Sequence, residues 1–406
     1  MAKNLQAGLR QSIKASRKAG VTGAGIFSLA PLDLRFALLK TLDPRVTFTR
    51  ASTGTYVGSD GVLQTAAIDV PRFDHNPTTG ESLGLLAEEA RTNLLLRSEE
   101  FNDASWIKQS SVSVSANTTI APNGTLTADT ITWTSASVNT GIYAQILSAL
   151  AASVAHTRSI YVRADSAGGT VQLTDPTLTI GITTINLTTE WQRIQLTENT
   201  TIAGSAGVWI RKTASSPNTI YLWGAQLEAG AFATSYIPTT TATATRAADV
   251  ASVTGTNFSP WYNQTEGTVF VSATTNARHG GSNSFPRILS VSDGTNNNQM
   301  ETYYRVLSSY TDAGYGVVSA GTTQAAFDTN DNRNGQSIAI GYASNNFPLA
   351  IGGTVVATDT SGTVPTVSRL GLGVRGGGGT LLNGTIKRLT YWPVRLGNNV
   401  LQQITQ

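Results

Sequence analysis

The sequence predicts a mainly β protein, with two antiparallel β-sandwich domains behind a short N-terminal helical arm. Three observations carry that expectation. Only 13% of the 406 residues are charged, and Gly, Ser, Thr and Asn are abundant, which suits short strands joined by polar turns. Apolar and polar residues alternate with period two in many short runs, the pattern of half-buried strands. The chain is also too long for one ordinary core, so it divides into two or three domains.

The arm, residues 1–45, is set apart by its charge. Eight Lys/Arg against Asp33 and Asp43 give it +6, and the other 361 residues, 20 basic against 23 acidic, carry −3. The body therefore offers no broad basic surface for nucleic acid. Leu5, Leu9 and Ile13 recur four apart and predict a short amphipathic helix ending near Gly20. An acid-poor segment with Ser and Arg is also the composition of an organelle-targeting peptide. The stretch Ile26–Leu42 is apolar enough to bury against a partner, so the expectation for 1–45 is a basic docking arm. No apolar run approaches the length of a membrane span, and no membrane insertion is expected. Without cysteine, disulfides and thiolate metal sites are excluded, and stability rests on packing and on assembly of copies.

From Val46 the texture turns to strands. Thr47–Arg50, Gly54–Val57 and the run after Asp60-Gly61 read as strands with a hairpin between the last two. Residues 83–97 mix apolar side chains with Glu88, Glu89 and Arg91 and read as helix or irregular chain. Alternating runs at Ile131, Ser159, Trp191, Val208 and Ile220 build one sandwich over 46–237. A Thr- and Ala-rich linker covers 238–255. A second sandwich over 256–406 begins at Gly267, continues through Arg287, Glu301, Ser337 and Arg369, and closes with Gly384–Trp392. Residues 396–404 read as a short helix presenting Val400, Leu401 and Ile404.

Catalytic chemistry finds little footing. His75, His156 and His279 lie in separate segments outside any HExxH pattern, and there is no G-x-S-x-G elbow. Glu88/Glu89 and Glu99/Glu100 are adjacent carboxylates that point apart, so they read as charges rather than an acid/base pair. Gly376–Gly379 lacks the lysine and Ser/Thr of a phosphate loop and reads as a hairpin tip. Asp328-Thr-Asn330-Asp331-Asn332 places oxygen ligands at alternate positions, as a calcium loop does. It departs from the EF-hand pattern at Arg333 and Ala339, where glycine and glutamate are needed. Five tryptophans, Trp133, Trp191, Trp209, Trp223 and Trp392, fall in strands and are expected in cores. Trp106 and Trp261 lie near segment edges, and Trp261-Tyr262 is the better candidate for stacking on a sugar ring, although core or inter-domain packing is the favoured reading of both. Candidate ligand-binding residues are therefore Trp261, Tyr262, Asp328, Asn330, Asp331 and Asn332. A polar hairpin without metal is the favoured reading of this loop, and no cofactor is expected; calcium on Asp328, Asn330 and Asn332 is the weaker candidate. The glycan site is expected on loops at one end of the C-terminal strands: 276–283, 293–298, 328–335 and 376–379.

Three stretches resemble fibre, head-spike and minor tail proteins of phages and gene-transfer particles. They are Phe48–Val57 with Asp60–Gln64, Pro71–His75 and Gly84–Leu95; Leu222–Gly230 with Thr234–Thr239 and Thr245–Asp249; and Leu382–Leu396. The first two resemble the frame of a carbohydrate-binding-module-like jelly roll. The third resembles the closing strand of a concanavalin/laminin-G-like lectin sandwich. The resemblance implies a non-enzymatic virion protein, assembled in the bacterial cytoplasm and homotrimeric. Residues 1–45 would anchor it on capsid or tail proteins, and its sandwiches would adsorb to host cell-surface polysaccharide by multivalent weak contacts. A purely architectural decoration protein and a polysaccharide-degrading tailspike are the competing readings.

Overall fold

Two main apolar cores, one in each sandwich, organise the chain. The computed structural model describes residues 23–150, 154–176, 181–199, 204–279 and 284–406. These are 48% strand and 5% helix, and every strand pairing among them is antiparallel. The expected mainly β fold is what forms. None of the described helices is long and apolar enough to cross a membrane. The amphipathic pattern at Leu5, Leu9 and Ile13 lies outside the described residues.

The first unit contains the described residues through Arg50, Asp69–Glu89 and Ala248–Gln406. One sheet runs Thr354–Asp359, Phe347–Ile351, Ser337–Ala343, Glu266–Thr275, Gly384–Trp392, Ser82–Ala87 and Phe73–His75, with Leu32–Leu34 also paired to Gly384–Trp392. The other runs Thr47–Thr49, Val250–Thr254, Arg369–Leu372, Arg287–Ser292, Gln299–Val306, Thr311–Ser319 and Thr322–Asp328. Alternate residues of the two, such as Val269, Ile340 and Leu389 against Leu289, Tyr315 and Leu370, share one core, so the sheets pack face to face as a sandwich. The helix Asn398–Ile404 buries Val400, Leu401 and Ile404, as its spacing predicts, in a second cluster with Phe270 and Trp392.

The second unit contains Ala51–Ile68 and Ala90–Ala247. Gln192–Asn199, Ala155–Ala164, Thr219–Ala229, Ala128–Trp133 and Val112–Thr119 form one sheet, and Thr183–Asn186, Thr170–Thr174, Gly204–Lys212, Gly141–Leu150 and Ile107–Lys108 the other. Ile131, Ile160 and Leu222 meet Ile142, Val171 and Ile210 between them. Each such fully buried side chain contributes on the order of 1.5–3 kcal/mol. The hairpin at Asp60-Gly61 forms as expected, with Gly54–Val57 paired to Leu63–Ala66.

The division departs from the contiguous boundaries expected at 46–237 and 256–406. Phe48 pairs with Ala251, and Leu85 with Ile386, so these early segments complete the sheets of the first unit. The stretch 83–97 is strand rather than helix at Ser82–Ala87 and Arg91–Asn93. The expected linker 238–255 contains strands Ala244–Arg246 and Val250–Thr254, the latter burying Ala251 and Val253. The expectation that Ile26–Leu42 needs a partner also changes. Ile26, Leu32, Leu34 and Phe36 are buried in this chain's own clusters, while Leu38 and Leu39 are exposed. Asp33 clamps that segment by accepting hydrogen bonds from Arg388 Nε and Nη2, each 2.8 Å.

Candidate functional site

At one end of the seven-stranded sheet the chain turns at 307–310 and 329–336. Tyr303 and Arg305 stand on the outward face of Gln299–Val306, because the alternate residues Met300 and Tyr304 take the core. Arg305 reaches Asp312 (2.5 Å) and Asp328 (2.9 Å) and donates to Asn330 Oδ1 (2.8 Å). The Asp312 carboxylate, hydrogen-bonded to Arg305, raises the guanidinium above its ordinary range, against burial. Tyr303 donates its hydroxyl to Asp328 at 3.0 Å, and burial with that neighbouring charge pushes the phenol up. Asn334 bonds both the N–H and the C=O of Thr275 at 3.0 Å, tying the 329–336 turn to the strand beside it.

These turns frame a cleft of about 500 Å³ lined by Arg278, His279, Tyr310, Thr311, Asn332 and Asn334, with the 306–309 turn completing it. Among the described residues no carboxylate lines it. Its walls carry hydroxyls, amides, one imidazole and one phenol, which both donate and accept hydrogen bonds, and one guanidinium, which donates. Such a wall suits a ligand rich in hydroxyls.

The structure sorts the sequence candidates. Asn332 lines the cleft, while Asp328 and Asn330 build its supporting network through Arg305. Asp331 pairs with Arg333 at 2.6 Å. Two of the three side chains proposed for calcium, Asp328 and Asn330, pair with the guanidinium of Arg305. Among the described residues no three His, Asp or Glu side chains converge to hold a metal.

Trp261 and Tyr262 are not a platform. Trp261 packs on Phe258 (4.9 Å) and Tyr391 (5.0 Å) and donates to Asn257 O at 2.6 Å. Tyr262 stacks between Tyr342 and Tyr391. Both belong to the core, leaving no ring face for a sugar. Trp106 is likewise buried, against Phe101. Trp191, expected in a core, is half-buried with Arg163 5.5 Å above its ring. The expected grouping of loops also divides. Asn334 joins 328–335 to the 275–279 segment, whereas Asn296 Oδ1 accepts from Gly377 N–H, joining 293–298 to 376–379 elsewhere on the unit. Residues 280–283 lie outside the described residues.

Sequence reasoning placed Arg278 and His279 only within the expected 276–283 loop, without singling them out, and missed Tyr310 as a cleft residue. The signal available was the Leu-Ser-Ser-Tyr turn at 307–310 between two β runs. The adjacent carboxylates are all engaged: Glu88 with Arg72, Glu89 with Asn383, Glu99 with Tyr236 and Glu100 with Arg97. Burial pushes the Glu99 carboxyl up, against the hydrogen bond from Tyr236.

No family model matches this sequence, and no curated protein matches it. Among solved structures, the chain is similar to the tandem CBM22-1–CBM22-2 domain of Paenibacillus barcinonensis Xyn10C. The identity is 12%, covering 75% of this chain and 97% of that one, with a TM-score of 0.27. Domains LG4-5 of the mouse laminin α1 chain align at 10% identity, covering 63% and 85%, with a TM-score of 0.22. A Trypanosoma rangeli sialidase in complex with the inhibitor DANA aligns at 11%, with a TM-score of 0.27, covering 38% of this chain. The chain spans only 26% of that sialidase. Likenesses at these TM-scores assign no activity.

Proposed function

We propose that this chain is a non-catalytic structural protein on the surface of a phage-like particle, binding host cell-surface glycans through its C-terminal sandwich. The observation that carries the reading is the polar cleft between the 307–310 and 329–336 turns, with Arg278, Tyr310 and Asn332 in its wall. Loops over a rigid sheet group hydroxyl-bonding side chains without disturbing the strands. The resemblance of Phe48–Val57, Leu222–Gly230 and Leu382–Leu396 to fibre and spike proteins supports the particle setting. Anchoring through the basic N-terminal segment to capsid or tail proteins, and assembly as a homotrimer, belong to the same proposal. Many copies on one particle convert weak single-site binding into avidity.

The test is binding of the full chain to an array of bacterial capsular and lipopolysaccharide glycans. Arg278→Ala and Tyr310→Ala are each expected to weaken binding about tenfold or more. Absence of any glycan binding, or binding indifferent to both substitutions, would overturn the assignment of this cleft. Light scattering of the full chain checks the trimer, which a purely monomeric mass would refute.

A further inference from the structure

The outward face of the seven-stranded sheet is partly covered by the glycine-rich loop 374–381. Its ends meet at an antiparallel bridge between Val374 and Leu381. The loop lies flat on the strands: Ser290 donates its hydroxyl to Val374 O at 2.9 Å, and Arg375 Nε stands 3.4 Å from Glu301. A Cβ on Gly376 would come within 2.5 Å of Ser292 Oγ, and one on Gly377 within 2.8 Å of Asn296 Oδ1. Glycine is what lets the loop approach so closely. At its tip, a Cβ on Gly378 or Gly379 would meet nothing within 4 Å.

Gln299 stands opposite Ser292 in register, on this same face. Its side chain is fully buried, yet among the described residues neither its Nε2 nor its Oε1 has a hydrogen-bond partner. A buried amide with both ends unpaired is unfavourable, and native structures keep such groups where a ligand or water satisfies them. Glu301, two residues on, is balanced by Arg287 at 2.8 Å and by Arg375. The floor is therefore a row of uncharged or compensated donors and acceptors.

We propose that loop 374–381 is a lid over a second saccharide site, whose floor is Ser292, Gln299 and Glu301 and whose ligand is an uncharged, hydroxyl-rich sugar segment. The lid would open from the Val374–Leu381 bridge; three contacts hold it down, Ser290 to Val374 O, Arg375 to Glu301, and the Gly377 N–H to Asn296 Oδ1 bond of 3.3 Å. Ring hydroxyls would supply the donor and acceptor that Gln299 lacks. This inference rests on the glycan-binding reading but lies at the opposite end of the strand Gln299–Val306 from the cleft.

The chain has no cysteine, so a reversible lock can be built with Asn296→Cys and Gly377→Cys together. Binding of malto-, cello-, xylo- and mannohexaose is measured by calorimetry on the full chain. At least one is expected to bind, and to bind about tenfold more weakly when the pair is oxidised, with recovery on reduction. Gln299→Leu is expected to lose the same binding while the melting temperature holds or rises. Equal binding by the oxidised and reduced forms, or full binding by Gln299→Leu, would overturn the lid site. If binding is instead lost only with Arg278→Ala or Tyr310→Ala, the cleft reading stands and the lid site falls. If the wild-type chain binds none of the four hexasaccharides, the lid site falls, and the glycan array separately decides the cleft.

Discussion

The guanidinium of Arg72 meets the carboxylate of Asp249 at 2.5 Å, both side chains buried, across 177 positions of chain. Arg50 lies 3.2 Å from the other carboxylate oxygen, and Glu88 pairs with Arg72 at 2.9 Å. Asp249 Oδ2 also accepts the Glu88 N–H at 2.9 Å. Four buried charges thus join the segments around residues 50, 72 and 88 to the strand that begins at Val250. Two positive and two negative groups balance one another, which is the condition for keeping them out of water.

Removing one member should therefore cost more than the pair is worth. Asp249→Ala leaves Arg50 and Arg72 facing each other without their shared anion. The expected loss is about 3–5 kcal/mol of stability, read from the urea midpoint. A loss under about 1 kcal/mol would mean that water reaches the cluster and screens it.

Truncation separates the two parts of the N-terminal segment. Deleting 1–22 should abolish incorporation into particles. Deleting 1–45 should also lower the melting temperature, because it removes Leu32, Leu34 and Phe36 from the core and Asp33 from Arg388. Full incorporation of the shorter truncation would refute the docking role.

Arg305 offers a test of the calcium expectation. In the wild-type chain its guanidinium sits among Asp312, Asp328 and Asn330, so calcium and chelator should give the same melting temperature. Arg305→Ala leaves two carboxylates and an amide oxygen facing each other, and should become less stable and gain stability on adding calcium. A calcium response in the wild-type chain would reverse the argument.

His156 sets a pH dependence in the second unit. Burial lowers its pKa; its contact with Val154 O at 3.0 Å opposes that shift, and the Arg158 charge adds to it. Burial also brings Arg158 down to about 10. Because the folded imidazole is less basic than the unfolded one, the unfolded chain binds more protons as pH falls through about 6.5. Stability should therefore drop between about pH 7.5 and 5.5, and His156→Gln should flatten that slope. An unchanged slope in the variant would assign the dependence to other groups.

Much of the cleft was hidden in the sequence for a simple reason. Asp328, Asn330, Asp331 and Asn332 were legible as a polar turn, because short polar side chains cluster where strands reverse. Their partners Arg305 and Asp312 lie on other strands, and only the pairing of Arg305 with Asp312 in register brings them together. Trp261 and Tyr262, platform candidates for which core packing was the favoured reading, show the opposite case. Nothing local distinguishes an aromatic pair beside a strand from a platform, and it is the non-local Tyr342 and Tyr391 that bury them.

The sequence by itself determined the secondary structure class and which residues face inward. Period two is a local property, so Ile131, Leu222, Leu289 and Leu389 declare a buried face wherever their strands finally pair. The helix at 398–404 was local in the same way. Tertiary structure alone decided which strand lies beside which: Thr47–Thr49 beside Val250–Thr254, and Ser82–Ala87 beside Gly384–Trp392. Backbone hydrogen bonds carry no record of their partner's position in the chain. Pairing is settled by the sum of side-chain fit over the whole sheet and by buried charges such as Arg72 and Asp249, which find their counterparts only once the fold is complete.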